Sequence, residues 1–188
     1  MGHPLGINTH AQMVYRPGER ELAMRVLKLL GRDVVDKGRP WLFVDKWIFL
    51  YEVPPQQWAF EQQLAALVAQ RRSDPAVAGF LEELDAHPQQ YCHFGSTLET
   101  MQEWETLTQR IRDAGRNDPD LRGRIEITSV LRPGDPGHVG SSTTAFVRTD
   151  VFSSGLLTFG QIFEVNYYAE DAQQPGMTGA AKETPATA

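Results

Sequence analysis

Polar and apolar positions alternate over residues 8–15 (NTHAQMVY). His10, Gln12 and Val14 fall on one side, and Ala11, Met13 and Tyr15 on the other, the period-two signature of a half-buried strand. Arg16-Pro17-Gly18 breaks that pattern. From Glu19 to Leu30 the spacing changes: Leu22, Val26, Leu29 and Leu30 share one stripe at helical period, and Gly31 stands where a C-terminal cap belongs. Three short runs rich in β-branched and aromatic residues follow, at 33–35, 41–44 and 47–53, ending at Pro54-Pro55. The predicted order is β-α-β-β-β.

Residues 57–87 interrupt the pattern with two helical stretches, 61–70 and 76–84, separated by Pro75. A short strand is then expected over 91–95. Ser96-Thr97-Leu98-Glu99 fits a capping box, which predicts a helix over 97–112 with Leu98, Met101, Trp104, Leu107 and Ile111 on its apolar side, ended by Gly115 and Asn117-Asp118-Pro119. Strands are predicted at 124–131, 143–149 and 156–168, with a Gly/Pro/Ser-rich loop over 133–142 between the first two. The order β-α-β-β-β thus occurs twice. The expected organisation is a first module over 8–55, a helical connector over 56–90, a second module over 91–169, and a small, polar, disordered tail over 170–188.

Composition narrows the function. The chain has 188 residues, 41% of them hydrophobic, enough for two small modules sharing a core. A net charge of −6 and no local Lys/Arg cluster argue against nucleic acid. One cysteine, Cys92, excludes an internal disulfide. No basic-then-apolar leader is present, position 6 is Gly6 where a myristoylation signal needs Ser or Thr, and no apolar run approaches membrane length. The expectation is a cytoplasmic protein that takes a small-molecule substrate and acts on neither membrane nor nucleic acid.

Four residues occupy matched places in the doubled scheme. His10 and His93, 83 positions apart, lie on the first strand of each half, and Glu52 and Glu164 lie near the end of each last strand. Two imidazoles with one or two carboxylates are a common ligand set for a catalytic divalent metal. The segments NTHAQMVYR, FLYEVPP, YCHFGS and GQIFEVNYY, spread over residues 8–168, resemble the ligand-bearing strands of the vicinal oxygen chelate superfamily: glyoxalases, bleomycin-resistance proteins and ring-cleaving dioxygenases. The resemblance implies an α+β fold in which two βαβββ modules form a cup-shaped mixed sheet with helices outside. It also implies a divalent ion (Zn, Ni, Fe(II) or Mn) held by His10, Glu52, His93 and Glu164, and a tendency to form homodimers. The chain departs from the family pattern in its long connector and in Asp150–Gly160, which lacks the usual acidic-Pro-acidic-Gly turn.

If all four residues bind, the resemblance implies a glyoxalase-like lyase or isomerase, with Glu52 or Glu164 able to accept a proton. If only His10, His93 and Glu164 bind, the triad favours Fe(II) and oxygen chemistry, as in extradiol dioxygenases. A metal-free member of the fold would instead sequester a drug or small aromatic molecule. Plainer roles stand beside these: a surface histidine at position 10, a solvated strand end at Glu52, and a salt bridge from Glu164 to Arg148. Cys92 is expected in the core, His3, His87 and His138 at the surface, and Trp41, Phe43, Trp47, Phe49 and Trp58 in core or cup wall. Ser153-Ser154-Gly155 lacks the flanks of a nucleophile elbow.

Overall fold

A computed structural model describes residues 11–45, 48–91, 93–136, 138, 140–153 and 161–169. His3, His10, Trp47, Cys92, the stretch 156–160 and the tail from 170 lie outside the described residues.

The first half comprises β1 (Ala11–Tyr15), α1 (Arg20–Leu29), β2 (Val34–Val35), β3 (Trp41–Val44) and β4 (Ile48–Glu52). Helices α2 (Pro55–Gln70) and α3 (Pro75–Ala86) and a 3₁₀ turn at Pro88–Gln90 lead to the second half. There β5 (His93–Leu98), α4 (Met101–Asn117), β6 (Ile125–Leu131), β7 (Ser142–Thr149), β8 (Phe152–Ser153) and β9 (Gln161–Tyr168) follow. Within each half the strand order is the same: β2-β3-β4-β1 and β6-β7-β9-β5. In both, the first strand runs parallel to the last and the other pairings are antiparallel. The doubled topology expected from the sequence is therefore present, as two βαβββ modules in an α+β fold.

The sheet itself differs from the expectation. Hydrogen bonding gives two open mixed sheets, with β1 and β5 in different sheets, where one continuous cup was expected. The link between halves is β8, a two-residue strand from the second half that pairs antiparallel with the outer edge of β1, Tyr15 opposite Phe152. The sequence shows no strand there because two residues are too few for any period.

Both sheets turn one face to a common core. Met13, Tyr15, Leu42, Val44, Ile48 and Leu50 from the first sheet join Ala145, Val147, Phe163 and Val165 from the second, around Val26 and Leu27 of α1 and Trp104, Leu107 and Ile111 of α4. Alternation along the strands dictates this: every second residue is apolar, and burying each stripe releases about 25 cal/mol per Å². Ion pairs ring the helix contact. Arg25 bridges Asp118 and Asp120, and Arg124 lies 2.7 Å from Glu19 and 2.8 Å from Asp150.

The start of α4 is a correction. The structure continues β5 through Leu98, because its six residues pair in register with β9, and the box forms at Thr100 and Glu103. Glu103 N–H donates to Thr100 Oγ1 at 3.2 Å and Thr100 N–H to Glu103 Oε2 at 3.1 Å. Two consecutive S/T-x-x-E patterns, 96–99 and 100–103, were available, and sheet pairing chose the later. At the other end, α4 runs past Gly115 and stops at Asn117, with Asp118 as its C-cap, at the Asn117-Asp118-Pro119 stop expected from the sequence. Gly115 is there for space rather than termination: a Cβ on it would sit 2.3 Å from the Ile125 carbonyl oxygen. We expect Gly115→Ala, a change that stabilises an ordinary exposed helix, to destabilise this protein by about 1–3 kcal/mol because the backbone of β6 must move. A denaturation midpoint unchanged or raised relative to wild type would contradict this packing.

Candidate functional site

The parallel pairing of β5 with β9 sets Gly95 beside Glu164 and His93 beside Ile162. His93, Gly95 and Glu164 therefore share the sheet face opposite α4, while Phe163 and Val165 enter the core on the helix side. There the Trp104 indole donates to the Val165 carbonyl at 2.9 Å. On this face, part of which α3 covers by packing Leu84 with Phe146 and Ile162, His93 Nε2 lies 3.4 Å from Glu164 Oε2, with the two side chains 23% and 22% exposed. His93 Nδ1–H donates to the Tyr91 carbonyl at 2.7 Å, which directs the Nε2 lone pair at the carboxylate. The ring is steadied by an edge contact with Phe146, centroids 5.9 Å apart. Gly95 makes room for the carboxylate: a Cβ there would meet Glu164 Oε2 at 3.0 Å.

A line of hydroxyl and amide groups converges on the same carboxylate. Ser142 Oγ lies 2.7 Å from Thr144 Oγ1, and Thr144 Oγ1 donates to Asn166 Oδ1 at 2.6 Å. Thr144 has one proton, so Ser142 must be the donor in the first contact. With its oxygen occupied, Asn166 turns its amide protons toward Glu164. Every donor in Ser142–Thr144–Asn166 thus points along the chain toward the charge, and such a chain polarises cooperatively. His138, expected at the surface, is half-buried and holds the Ser142 carbonyl at 2.7 Å from Nε2. The sequence signal for these residues was the two-residue spacing of Ser142 with Thr144 and of Glu164 with Asn166 on strands whose other face is apolar.

The electrostatics follow from this packing. Burial acts to raise the Glu164 pKa. The hydrogen bonds from His93 and Asn166 and the fields of His93 and His138 outweigh it, so the group sits below the ordinary carboxylate value. The His93 imidazole is pushed up chiefly by its hydrogen bond to Glu164, against burial and with help from the Tyr91 carbonyl. The pair is therefore most stabilising in the window where both are charged. Its contribution is lost as pH falls through the depressed Glu164 pKa or rises through the elevated His93 pKa.

Of the other two candidates, one falls elsewhere and one is not described. His10 lies outside the described residues. The structure does not bring Glu52 to the pair. Glu52 ends β4 on the side of Ile48 and Leu50, which are buried against α1, and Oε2 accepts from Gly18 N at 2.9 Å. The registers explain why the matched places in the sequence mislead. With the first strands aligned at the 83-residue offset, Gln12 corresponds to Gly95, so its partner Phe49 occupies the Glu164 position. Glu52, opposite Tyr15, corresponds instead to Tyr167, opposite Leu98. The salt bridge considered for Glu164 is made by another residue, since Arg148 pairs with Asp85 of α3. Among the described residues no three His, Cys, Asp or Glu side chains gather closely enough to hold a metal ion. Also among them, no helix is long and apolar enough to cross a membrane.

Comparison with solved structures returns similar folds at low identity. The fosfomycin resistance protein FosX from Listeria monocytogenes shares 11% identity over 90% of this chain and 97% of that one, with a TM-score of 0.45. A glyoxalase/bleomycin resistance protein/dioxygenase from Alicyclobacillus acidocaldarius shares 13% over 87% and 94%, with a TM-score of 0.42. The oxidase ChaP-H2 shares 13% over 87% and 95%, with a TM-score of 0.38. No family model and no curated protein matches the chain.

Two measurements check the site. By NMR titration, His93 should show a pKa above the usual imidazole value in the wild type and fall back in Glu164→Gln. The stability gap between the two proteins should be widest between the depressed Glu164 pKa and the elevated His93 pKa, and should narrow as pH rises through the latter. A His93 pKa indifferent to the substitution would separate the two residues. Thr144→Val keeps the volume but orphans Ser142 Oγ and Asn166 Oδ1, so it should cost about 1–3 kcal/mol; a variant as stable as wild type would mean the hydroxyl chain is not formed.

Proposed function

We propose that the protein is a metal-dependent enzyme of the vicinal oxygen chelate type, acting as a glyoxalase-like lyase or isomerase on a small oxygenated substrate. One observation carries this: a histidine whose Nδ1 proton is committed to Tyr91 aims its Nε2 lone pair at a carboxylate 3.4 Å away. When the imidazole is neutral the two face each other as acceptors, and a metal ion between them would take the place of the proton that otherwise bridges them. With ligand bonds of about 2.0–2.2 Å, two donors sharing one ion lie about 3.0–3.5 Å apart, so the spacing fits. His93 and Glu164 would hold the ion, with His10 as the third ligand on the strength of the sequence pattern. Bound there, a divalent ion supplies Lewis-acid polarisation of two adjacent substrate oxygens. The hydroxyl and amide chain keeps Glu164 ionised and oriented, the outer support that a ligating carboxylate requires.

The placement of Glu52 favours a second reading. Glu52 accepts from Gly18 N–H, and with it held there the set His10, His93 and Glu164 would suit Fe(II) and oxygen chemistry of the extradiol type, whereas its release to the ion would give the four-ligand, lyase-like set. A third reading rests on the proton alone: it can bridge His93 and Glu164 without any metal, leaving a small-molecule-binding protein.

Elemental analysis and calorimetric titration with Zn, Ni, Mn and Fe(II) separate the three. We expect about one ion per chain. His93→Ala and Glu164→Gln should each weaken binding by about a hundredfold or more, and affinity should drop as pH falls and a proton competes for Nε2. Preference for Fe(II) with substrate-dependent oxygen uptake selects the dioxygenase. A wild-type protein that takes up none of the four ions refutes the enzyme reading.

A further inference from the structure

Two neighbours steady the His93 ring, and helix α3 touches both. The Tyr91 carbonyl accepts the Nδ1 proton at 2.7 Å, and Phe146 makes the edge contact at 5.9 Å. On α3, Phe80 meets the Tyr91 ring edge to face, centroids 5.6 Å apart. One turn later Leu84 is buried against Phe146 and Ile162. The four-residue spacing puts Phe80 and Leu84 on the same side of the helix. Asp85, the next residue, pairs with Arg148 of β7. Tyr91 depends on such support. It lies outside the ladder of β5 with β9, which begins at His93, so its carbonyl is placed by contacts other than that pairing. Its N–H donates to the Pro88 carbonyl at 3.2 Å, and its side chain packs on Phe80.

The placement of that carbonyl matters because Glu164 pulls the proton the other way. A neutral imidazole carries a single N–H. With a carboxylate 3.4 Å from Nε2, the ring on its own would put the proton on Nε2 and donate to Glu164. Nδ1 would then aim a lone pair at the Tyr91 oxygen, two acceptors 2.7 Å apart. That repulsion keeps the proton on Nδ1 for as long as the carbonyl stays in place. We propose that Phe80 is a positioning residue: by fixing Tyr91 it holds the neutral His93 ring in the Nδ1–H form, with Nε2 bare, and Leu84 assists by backing Phe146. A helix of the connector thus sets the state of a ring through the two groups that flank it. The consequence for metal binding rests on the reading of His93 and Glu164 as ligands. The tautomer itself does not, since it is a property of the metal-free ring.

The test is heteronuclear NMR of the imidazole nitrogens in the chelator-treated full chain, at a pH where the His93 ring is neutral. The wild type should show a protonated Nδ1 and a bare Nε2. In Phe80→Ala most molecules should carry the proton on Nε2 instead. Phe80→Tyr keeps the ring edge and should retain the wild-type pattern. Asp85→Asn is the comparator: it loosens α3 without touching Tyr91 and should leave the tautomer unchanged. With Zn added, Phe80→Ala should bind about tenfold more weakly than wild type, the lower end of what support for a ligating histidine contributes, and Phe80→Tyr should restore the affinity. A wild-type ring already protonated on Nε2 overturns the proposal with no variant needed, so a Phe80→Ala chain that fails to fold does not shelter it. An unchanged tautomer in folded Phe80→Ala overturns it too. So does an equal shift in Asp85→Asn, which would assign the effect to docking of the helix as a whole. Absence of metal uptake bears on the enzyme reading alone, so the two fail separately.

Discussion

The parallel pairing of first strand with last is the constraint on which each half depends. Strands adjacent in sequence can pair through tight turns, but this parallel pairing needs a crossover, here a helix and the strands that follow it. Its effect is to set residues 71 positions apart, His93 and Glu164, on neighbouring strands of one face. Because the same strands bury Phe163 and Val165 behind them, the open face cannot shift register by one residue without turning the core outward. Packing energy on one side of the sheet thus fixes geometry on the other.

That arrangement also decides which polar groups can be buried. A hydroxyl or amide away from water must find a partner, and on this face each finds the next: Ser142, Thr144, Asn166, Glu164. The residues form a line because β7 and β9 pair in register, with Thr144 opposite Asn166 and Phe146 opposite Glu164. In the first half the corresponding face is aromatic. Trp41 lies 6.4 Å from Phe49 and 5.8 Å from Tyr51, and Phe43 lies 4.9 Å from Phe49. The modules share topology, but one of these faces is aromatic while the other combines the polar line with Phe146 and Ile162, packed with Leu84 of α3.

Much of this was legible in the sequence, for identifiable reasons. Period-two and period-3.6 patterns are direct consequences of burial, so α1, β3 and β7 emerge within a residue or two, and the opposed faces of β9 follow from alternation alone. Glu164 and His93 were recognisable because charged or titratable groups interrupt apolar strands. What the sequence could not convey was register. Glu52 and Glu164 both follow an apolar residue near a strand end, and only the Cα partners show that one looks toward the helices and the other away. The beginning of α4 was lost to a similar ambiguity, since two capping signals follow one another directly and a distant strand chose between them. The role of Gly115 was invisible because it depends on a backbone atom ten residues later.

The two-residue strand β8 has a consequence for how the chain is made. As β1 leaves the ribosome, one of its edges is satisfied by β4, but the other waits for Phe152 and Ser153, synthesised about 140 residues later. At roughly 5–20 residues per second, that edge stands open for about 7–30 seconds, an unpaired strand in a nascent chain. The first half is thus born incomplete and is sealed by a piece of the second. A genetic split between the modules would leave a fragment with an adhesive border, so the two βαβββ units, alike enough to be written as a repeat, are not interchangeable as separate polypeptides.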